Sequence, residues 1–440
     1  MKKLISILCA GAMLLSLAAC GSTSGGASAA DTNITADSVV SSDKAGSTNT
    51  GSTNTGSTVT DADIAAQLAD AVTLTFSDSG ITADGSGGFE TDGTALTITD
   101  AGAYVLTGSC ADGSVKVKKG VTGVTLVLSG LELTSTDTAP ITCAKSSQVV
   151  LYAAAGTENR LADTAQNNDE TYSENADAEN AVIKCKDGSQ VTLCGSGSLV
   201  IEANGKNGIK SGATTAEEGE ASLTIRDITL TIAAPVNDAI NAEQLLVIES
   251  GTLTIAAGDD AIHCDLLLNI GAEGTDGPAI TITDCYEAIE AATLNILSGD
   301  IDITSSDDCL NAADSDLSGY AFSMNISGGT ITAFSSGGDG FDSNGSLTIS
   351  GGTVYSGTAL CNAGFVFFSS PALTDGTTYT LTGGSSTLTA DAQTGSISSG
   401  MGGMGSPGGQ MPDGQFPGGN GQRPSMPGNE QSPAAPGSGS

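Results

Sequence analysis

The sequence predicts an all-β protein, a right-handed parallel β-helix of about eight or more coils. Three observations lead to this class. The 440 residues include 60 Gly, no Trp, 7 Tyr and 9 Phe, so small and β-branched residues must fill the core. A short motif recurs through the middle of the chain at intervals of about 20 to 40 residues. Between its copies, apolar and polar residues alternate, which is typical of half-buried strands.

The first twenty residues have the features of an export signal. Two lysines precede an apolar run from Leu4 to Leu17, which is too short to span a bilayer. The run closes as Ala18-Ala19-Cys20, which resembles the cleavage motif of bacterial lipoproteins. We therefore expect residues 1–20 to be a lipoprotein signal with Cys20 lipidated, which would anchor the chain to the membrane. The alternative is an ordinary secretory signal in which Cys20 has no role.

The composition on either side of the repeats predicts two segments without a core. Residues 21–60 are rich in Gly, Ser and Thr and are expected to form a flexible linker. Residues 396–440 are rich in Gly, Pro and Met and are expected to form a disordered tail. The folded domain is therefore placed at residues 61–395. Its ends are expected to be covered by a helix at 61–72 and by strands at 365–368 and 379–382.

The recurring motif has a large apolar residue at its centre, with small and polar residues around it. We call this central residue the marker of each copy. The markers are Ile141, Ile183, Ile209, Ile240, Ile262, Ile289, Leu310 and Phe341. A unit of this size cannot bury its apolar face alone, so successive units must stack as coils. The polar segment 157–179 interrupts this pattern and is expected to be a solvated bulge or a binding loop.

Three cysteines follow the same repeat. Cys143, Cys185 and Cys264 each lie two residues after a marker, so they are expected to face inward as unreacted thiols. Cys143 and Cys185 belong to neighbouring coils, so a disulfide between them is the alternative.

A carboxylate lies two residues before the marker in five consecutive copies, which predicts a file of acidic residues along one side of the coils. These residues are Asp238, Asp260, Glu287, Asp308 and Asp339, with Asp259 and Asp307 doubling the charge in two copies and Asp342 following the last marker. At the strand spacing of about 4.8 Å, such carboxylates repel one another unless they are protonated or bridged. Calcium, with oxygen ligands at about 2.3–2.6 Å, suits this spacing better than magnesium does.

The charge distribution supports a bound cation. Between residues 227 and 360 there are 20 Asp and Glu and no Lys or Arg, so no basic side chain of that stretch can pair with the acids. A solvated acidic surface that only keeps the protein soluble is the alternative. The alignment of the acids with the repeat favours cation binding, because a random acidic surface would lack it.

The segments Tyr104-Val105-Leu106-Thr107-Gly108 and Val124-Thr125-Leu126-Val127-Leu128-Ser129-Gly130 resemble a family of exported bacterial carbohydrate-binding β-helix proteins, first known from clostridia. The Asp-Asp-Ala-Ile phrase, the Gly340–Gly345 run and the Gly-Met-rich tail extend the resemblance. It implies a calcium-containing β-helix, similar in shape to pectate lyases, that binds cellulose or polygalacturonate. It also implies that the calcium ligands are Asp238, Asp259, Asp260, Asp307, Asp308 and Asp339.

These observations together predict a non-catalytic, calcium-stabilised lipoprotein that is monomeric, lies on the outer face of the cell membrane and binds polysaccharide. The net charge of −36 excludes nucleic-acid binding through phosphate neutralisation. The expected substrate-binding residues are Lys206, Lys210 and Tyr286. The two lysines are interpreted as the only basic residues in register with the acids, and Tyr286 as a platform for a sugar ring. A calcium-dependent polysaccharide lyase and a surface scaffold or adhesin with structural calcium are the alternatives.

Overall fold

The computed structural model describes residues 61–314, 317, 319–356, 361–368, 378–383 and 386–391. The expected signal with Cys20, the linker 21–60 and the tail 396–440 lie outside the described residues. Within the described ranges the chain is all-β with one short helix, so the all-β part of the prediction is confirmed. No helix there is both long enough and apolar enough to cross a membrane.

The N-terminal part contains the helix and seven strands. These are α1 Asp61–Leu68, β1 Val72–Ser77, β2 Gly80–Ala83, β3 Phe89–Asp92, β4 Ala95–Ile98, β5 Gly102–Cys110, β6 Ser114–Val117 and β7 Val124–Ser135. The helix was predicted to reach residue 72 but ends at Leu68. The apolar–polar alternation that begins at Val72 favours a strand, and Leu74 and Phe76 of β1 are buried in the core.

Twelve strands follow in the middle of the chain. These are β8 Ile141–Cys143, β9 Gln148–Ala153, β10 Glu158–Asp163, β11 Ala181–Cys185, β12 Gln190–Cys194, β13 Ser198–Glu202, β14 Asn207–Ser211, β15 Ser222–Ile225, β16 Thr229–Ala234, β17 Ile240–Ala242, β18 Leu245–Ile248 and β19 Thr252–Ala257. The turn between β18 and β19 needs Gly251, which has a φ of 103° and whose β-carbon would lie 2.5 Å from the carbonyl oxygen of Ile228.

Twelve more strands complete the described chain. These are β20 Ile262–Ile270, β21 Ala279–Asp284, β22 Ile289–Ile296, β23 Asp300–Ser305, β24 Leu310–Ala312, β25 Ser323–Ile326, β26 Thr330–Ser335, β27 Phe341–Ile349, β28 Thr353–Ser356, β29 Cys361–Phe368, β30 Thr378–Gly383 and β31 Ser386–Asp391. The predicted strand at 365–368 belongs to β29, which pairs in parallel with β27. The one at 379–382 belongs to β30, which pairs with β31 in an antiparallel hairpin.

Nearly all of the described strands belong to one of three ladders of parallel pairs, and the chain visits the ladders in rotation. Ladder 1 runs through β4, β6, β8, β11, β14, β17, β20, β22, β24, β27 and β29. Ladder 2 runs through β1, β5, β7, β9, β12, β15, β18, β20, β22, β25, β27 and β29. Ladder 3 runs through the ends of β5 and β7, then β10, β13, β16, β19, β21, β23, β26 and β28.

The predicted alignment of the markers is confirmed by the register of ladder 1. Ile183 lies opposite Ile141 and Ile209, and Ile262 lies opposite Ile240 and Ile289. These side chains are almost completely buried and form one continuous core with the apolar residues of the other two ladders. In β20, β22 and β27 a single strand serves both ladder 1 and ladder 2, so these coils have fewer and longer strands than the pattern predicted.

The segment 157–179 was predicted to be a single bulge or loop, and this prediction is wrong for its first third. Residues Glu158–Asp163 form β10, which pairs with β7 and β13. Asn159 occupies the inward position where an apolar residue is expected, and it is buried. Its Oδ1 accepts from the Leu131 amide at 3.0 Å and its Nδ2 donates to the Ser198 carbonyl at 3.0 Å, which satisfies the buried amide.

Seven cysteines of the coils are free and buried: Cys110, Cys143, Cys185, Cys194, Cys264, Cys285 and Cys309. Cys143 and Cys185 lie opposite each other on β8 and β11. The hydrogen bond to Cys185, together with burial, raises the pKa of the Cys143 thiol well above its ordinary value. The inward position of these thiols is confirmed, and the structure contains them in the reduced form.

Candidate functional site

A row of polar side chains runs along ladder 1, one residue after each marker. We call it the polar row; it consists of Thr142, Lys184, Lys210, Asn241, His263, Glu290, Asn311 and Asp342. Because the strands pair in parallel and in register, these residues occupy equivalent places on successive strands. The row therefore changes from basic at its N-terminal end to acidic at its C-terminal end.

A second set of residues lies in the turns that lead from ladder 3 into ladder 1. We call it the acidic corner; it consists of Asp238, Asp259, Asp260, Glu287, Asp307, Asp308 and Asp339. Hydrogen bonds join successive turns: the amide of Asp260 donates to Oδ1 of Asp238 at 3.2 Å, and the amide of Asp339 donates to Oδ1 of Asp308 at 2.6 Å. The predicted stacking of these acids from turn to turn is thus present.

The polar row and the acidic corner contact each other. Asn241 Nδ2 donates to Oδ2 of Asp238 at 2.6 Å, and His263 Nδ1 lies 2.9 Å from Oδ2 of Asp260. In the next coil, Asn311 Nδ2 donates to Oε2 of Glu287 at 3.0 Å and to Oε2 of Glu290 at 2.7 Å. Side chains of the two sets therefore form a polar network along the face between Lys210 and Asn311.

Burial makes this network electrostatically unusual. It raises the pKa of Asp260 and of Asp308 to about 7 each, and neighbouring carboxylates add to the shift. Burial and the adjacent Glu287 raise the pKa of Glu290 to about 10. Asp238 also has a pKa above its ordinary value because it is buried. These carboxyl groups therefore hold their protons to higher pH than ordinary Asp and Glu do.

The C-terminal end of the acidic corner is built only from oxygen donors. A β-carbon at Gly338 would overlap Oδ1 of Asp307 and would lie 2.5 Å from Oδ1 of Asp308, so both carboxylates converge on this glycine. Oδ1 of Asp342 is buried and has no hydrogen-bond partner. Burial raises the pKa of Asp339 and of Asp342. Converging carboxylates with an unsatisfied buried oxygen form a donor set that suits Ca²⁺.

The middle of the network contains nitrogen as well as oxygen donors. His263 lies between Asp260, Asp265 and Glu290, with Nε2 3.2 Å from Oδ1 of Asp265 and Nδ1 3.5 Å from Oε1 of Glu290. Although burial opposes it, the contacts with Asp260 and Asp265 raise the pKa of His263 to about 12. The imidazole is therefore held next to three carboxylates.

The N-terminal end of the polar row is basic. Lys184 lies opposite Lys210, and burial together with the charge of Lys210 lowers the pKa of Lys184. Lys210 Nζ lies 3.2 Å from Oδ1 of Asn241 and 3.5 Å from a carboxylate oxygen of Glu243. A shallow cleft of about 290 Å³ adjoins this end and is lined by Lys116 and Thr142, among others.

The expected substrate-binding residues do not form one site. Lys210 is in the polar row, whereas Lys206 precedes β14 and pairs with Glu170 of the inserted segment. Tyr286 is 39% exposed in the turn that carries Glu287, and its hydrogen bond with Asp307 raises its pKa to about 12. The interpretation of Lys206 and Lys210 as the only basic residues in register is wrong.

Sequence reasoning missed two features of this face and one of the neighbouring ladder 3. Lys184 directly follows the marker Ile183 and aligns with Lys210, which directly follows the marker Ile209, so the alignment of the markers was sufficient to find it. The contacts of His263 with carboxylates on both sides are not visible from spacing alone. Phe334, 49% exposed on β26, lies at an outward position that the period-two pattern of this strand indicates.

Comparisons with known proteins agree with the resemblance in its broad terms. A family model described as carbohydrate-binding domain-containing protein matches residues 92–364, which is more than half of the chain. A carbohydrate-binding domain-containing protein of Acetivibrio thermocellus is 31% identical over 137 residues, which are 31% of this chain and 46% of that protein. The match therefore spans less than half of that relative.

A solved structure is also similar. It is the gadolinium derivative of the polysaccharide lyase-like protein from C. thermocellum, with 22% identity and a TM-score of 0.38 over 68% of this chain and 96% of that chain. The family itself is established by the match to residues 92–364. The chain belongs to the family of carbohydrate-binding domain-containing proteins.

Proposed function

We propose that this protein is a non-catalytic, calcium-stabilised lipoprotein of the cell surface that binds plant cell-wall polysaccharide of the cellulose or polygalacturonate class. One observation carries the proposal: the polar row runs from Lys184 and Lys210 to the carboxylates of the acidic corner on one face of the protein. Such a face offers an acidic polymer both direct cationic contacts and places where a metal ion bridges carboxylates.

The architecture that we propose is a right-handed parallel β-helix. The rotation of the chain through three ladders of parallel pairs supports it, because each circuit adds one strand to each ladder. The coil spacing of about 4.8 Å is similar to the length of a sugar residue along an extended chain, so equivalent side chains can meet successive sugars. A monomer provides the whole face.

Calcium is proposed to bind where Asp307, Asp308, Asp339 and Asp342 converge near Gly338. The support is the unpartnered buried Oδ1 of Asp342 and the direction of two carboxylates toward one glycine. Asp238, Asp259, Asp260 and Glu287 extend the acidic corner toward the basic end and are proposed as further calcium ligands. The ion would supply positive charge for stability and for holding a uronate carboxylate.

Two kinds of contact would hold the polymer. At the basic end, Lys184 and Lys210 would pair with uronate carboxylates, since the like charges of two opposed lysines favour an anion between them. Beside the acidic corner, the exposed rings of Tyr286 and Phe334 would stack on the apolar faces of sugars. The absence of Trp limits stacking and favours the ionic contribution.

The cell-surface location rests on residues 1–20. A lipid-modified Cys20 followed by the linker 21–60 would hold the domain outside the membrane. Metabolic labelling with a fatty acid analogue tests this step, and a Cys20→Ala variant that still carries the label would contradict it.

A polysaccharide lyase is the second candidate. The observation that favours it is Lys184, whose pKa is lowered by burial and by Lys210. A lysine that loses its proton more easily than usual is suited to remove a proton from a uronate next to a bound cation. We prefer the binder, because the opposed pair of lysines is sufficient to hold a carboxylate. Proton removal would also need a cation bound next to them.

The test is to titrate polygalacturonate and soluble cellulose fragments into the full chain by calorimetry, first with calcium and then with a chelator. Absorbance is followed at the same time for unsaturated sugar product. Calcium-dependent heat without absorbance supports the binder. Rising absorbance would identify the protein as a lyase. If neither polymer gives heat but the melting temperature depends on calcium, the scaffold with structural calcium is the remaining function.

A further inference from the structure

His263 is the only histidine of the chain, and it lies in the middle of the polar row. Its Nδ1 faces two carboxylates, Asp260 on the same coil and Glu290 on the next, at 2.9 and 3.5 Å. The ligand atoms of these three residues all lie within 4.8 Å of one another. Three potential metal ligands from two coils thus converge at one point.

These distances match the edges of a small coordination polyhedron. Zinc binds imidazole nitrogen at about 2.0–2.1 Å and carboxylate oxygen at about 2.0–2.2 Å, which puts neighbouring ligand atoms roughly 3 to 3.5 Å apart. Calcium, with longer bonds and a preference for oxygen, makes no use of the nitrogen. The three side chains are 14–19% exposed, so water can reach the remaining positions around an ion.

The surroundings orient the ligands as they do in known metal sites. On the far side of the ring, Nε2 lies 3.2 Å from Oδ1 of Asp265, and this contact would keep the proton on Nε2 when an ion displaces the proton of Nδ1. Asn311 is 7% exposed and donates from Nδ2 to Oε2 of Glu290 at 2.7 Å, which turns Oε1 toward the imidazole. The histidine and one carboxylate are therefore each held in direction by a hydrogen-bond partner behind them, Asp265 and Asn311 respectively.

We propose that His263, Asp260 and Glu290 bind one divalent transition-metal ion of the zinc type. The site differs from the all-oxygen group around Gly338, which is suited to calcium. Asp260 is the one residue that it shares with the proposed calcium ligands, and the adjacent imidazole nitrogen favours the transition metal over calcium at this position. The inference goes beyond the proposed polysaccharide binding. An imidazole with two carboxylates is a donor set that zinc, cobalt and manganese accept. Asp265 and Asn311 are positioning residues for it.

The opposite edge of the His263 ring is part of a second group of potential metal ligands. Nε2 lies with Asp265 and Asp314 in another group of ligand atoms within 4.8 Å. The Asp265 side chain is 38% exposed, compared with 14% for Asp260 and for Glu290. The more enclosed Nδ1 side binds the ion more tightly, because solvent competes less there.

The test uses the full chain without a polyhistidine tag, in excess calcium, titrated with Zn²⁺. Since there is one histidine, the imidazole nitrogen NMR signals report only on His263. We expect one equivalent of Zn²⁺ to shift the Nδ1 signal and leave Nε2 protonated. A spectrum unchanged by Zn²⁺ would overturn the proposal, and a shift at Nε2 instead would move the site to Asp265 and Asp314.

Variants then identify the ligands. H263N is expected to abolish calorimetric Zn²⁺ binding, whereas D265N, which removes an outer-shell partner, is expected to weaken it roughly 10- to 100-fold. D302N, which changes an exposed carboxylate of β23 outside the polar row and the acidic corner, is the matched control and should leave Zn²⁺ affinity unchanged. Undiminished Zn²⁺ binding in H263N would refute the site. Because the wild-type spectrum is decisive alone, the proposal is tested even if a variant fails to fold, and polysaccharide binding is measured separately.

Discussion

Lys184 and Lys210 lie directly opposite each other on neighbouring strands, where two like charges destabilise a sheet. Glu243 is 3.5 Å from Lys210 and relieves part of this repulsion. The pKa of Lys184 is nevertheless lowered, first by burial and then by the Lys210 charge. An anion bound between the two lysines would remove the remaining repulsion.

The first prediction concerns this pair. Changing Lys184 to Gln is expected to weaken polygalacturonate binding by about 10- to 100-fold, because it removes a charge-assisted hydrogen bond to a uronate. Binding of neutral cellulose fragments should not change. The affinity for polygalacturonate should also fall as pH rises through the lowered pKa of Lys184, earlier than for an ordinary lysine.

Calorimetry of the variant on both polymers checks this, with K118Q as a control on an exposed lysine outside the polar row. An equal loss on both polymers would mean that Lys184 supports the fold of the face rather than the charge of the ligand. Equal affinities of K184Q and wild type for polygalacturonate would remove the basic end from the proposed site.

The second prediction concerns Gly338. Its replacement by Ala places a methyl group against carboxylate oxygens of Asp307 and Asp308, so the two carboxylates must separate. We expect at least a tenfold loss of calcium affinity at this group. The rise in melting temperature that calcium produces in the wild type should shrink accordingly.

The matched control for this variant is S336A, which changes an exposed side chain two residues earlier in the same turn. Isothermal titration with Ca²⁺ on the three proteins separates the outcomes. If G338A bound Ca²⁺ as tightly as S336A does, calcium would have to bind elsewhere in the acidic corner.

The third prediction is a pH dependence of stability. Asp260 and Asp308 have pKa values of about 7 in the folded protein against 3.8 ordinarily, so the folded state binds protons more tightly than the unfolded chain. Without calcium, the free energy of unfolding should therefore rise as pH falls from 7.5 to 5.5, by on the order of 2 kcal/mol for each of the two carboxyl groups. Calcium, which requires ionised carboxylates, should flatten or reverse this trend.

Urea unfolding at several pH values, in chelator and in calcium, measures both slopes. The double variant D260N/D308N should lose most of the pH dependence in chelator, because neither amide titrates. A slope in calcium as steep as that in chelator would show that the ion does not contact these carboxylates.

Much of the fold follows from the sequence because one inward column of large residues fixes the register. Ile183, Ile209 and Ile240 align as predicted, since a slip by one residue would turn the buried side chains outward. The strand at Glu158–Asp163 could not be predicted from the sequence, because Asn159 stands where an apolar residue is expected. Its buried side-chain amide forms hydrogen bonds with the backbone of two other strands.

The candidate site could be predicted only in part from the sequence, for a related reason. Spacing gave the positions of the acids, but not which neighbours their side chains contact. The role of His263 depends on the directions of Asp260, Asp265 and Glu290, which the spacing does not give. Side-chain direction across coils depends on turn geometry, which the repeat pattern does not encode.

The fourth prediction concerns the aromatic residues on the outer face of ladder 3. Thr332 of β26 lies opposite Tyr355 of β28, so Phe334, two residues further along β26, is a diagonal neighbour of Tyr355 on the same face. The two side chains are 49% and 54% exposed. Such large apolar surfaces contribute little to stability and are suited to stack on sugar rings.

Replacement of Phe334 by Ala is therefore expected to weaken binding to cellulose fragments by about 3- to 10-fold while leaving the melting temperature unchanged, because the lost contact is with the ligand. V236A removes an apolar side chain of similar exposure, 50%, outside this aromatic pair and serves as the control. Calorimetry with cellulose fragments distinguishes the cases. If F334A and V236A bind equally well, neutral sugars do not stack at ladder 3, and ionic contacts along the polar row remain the basis of recognition.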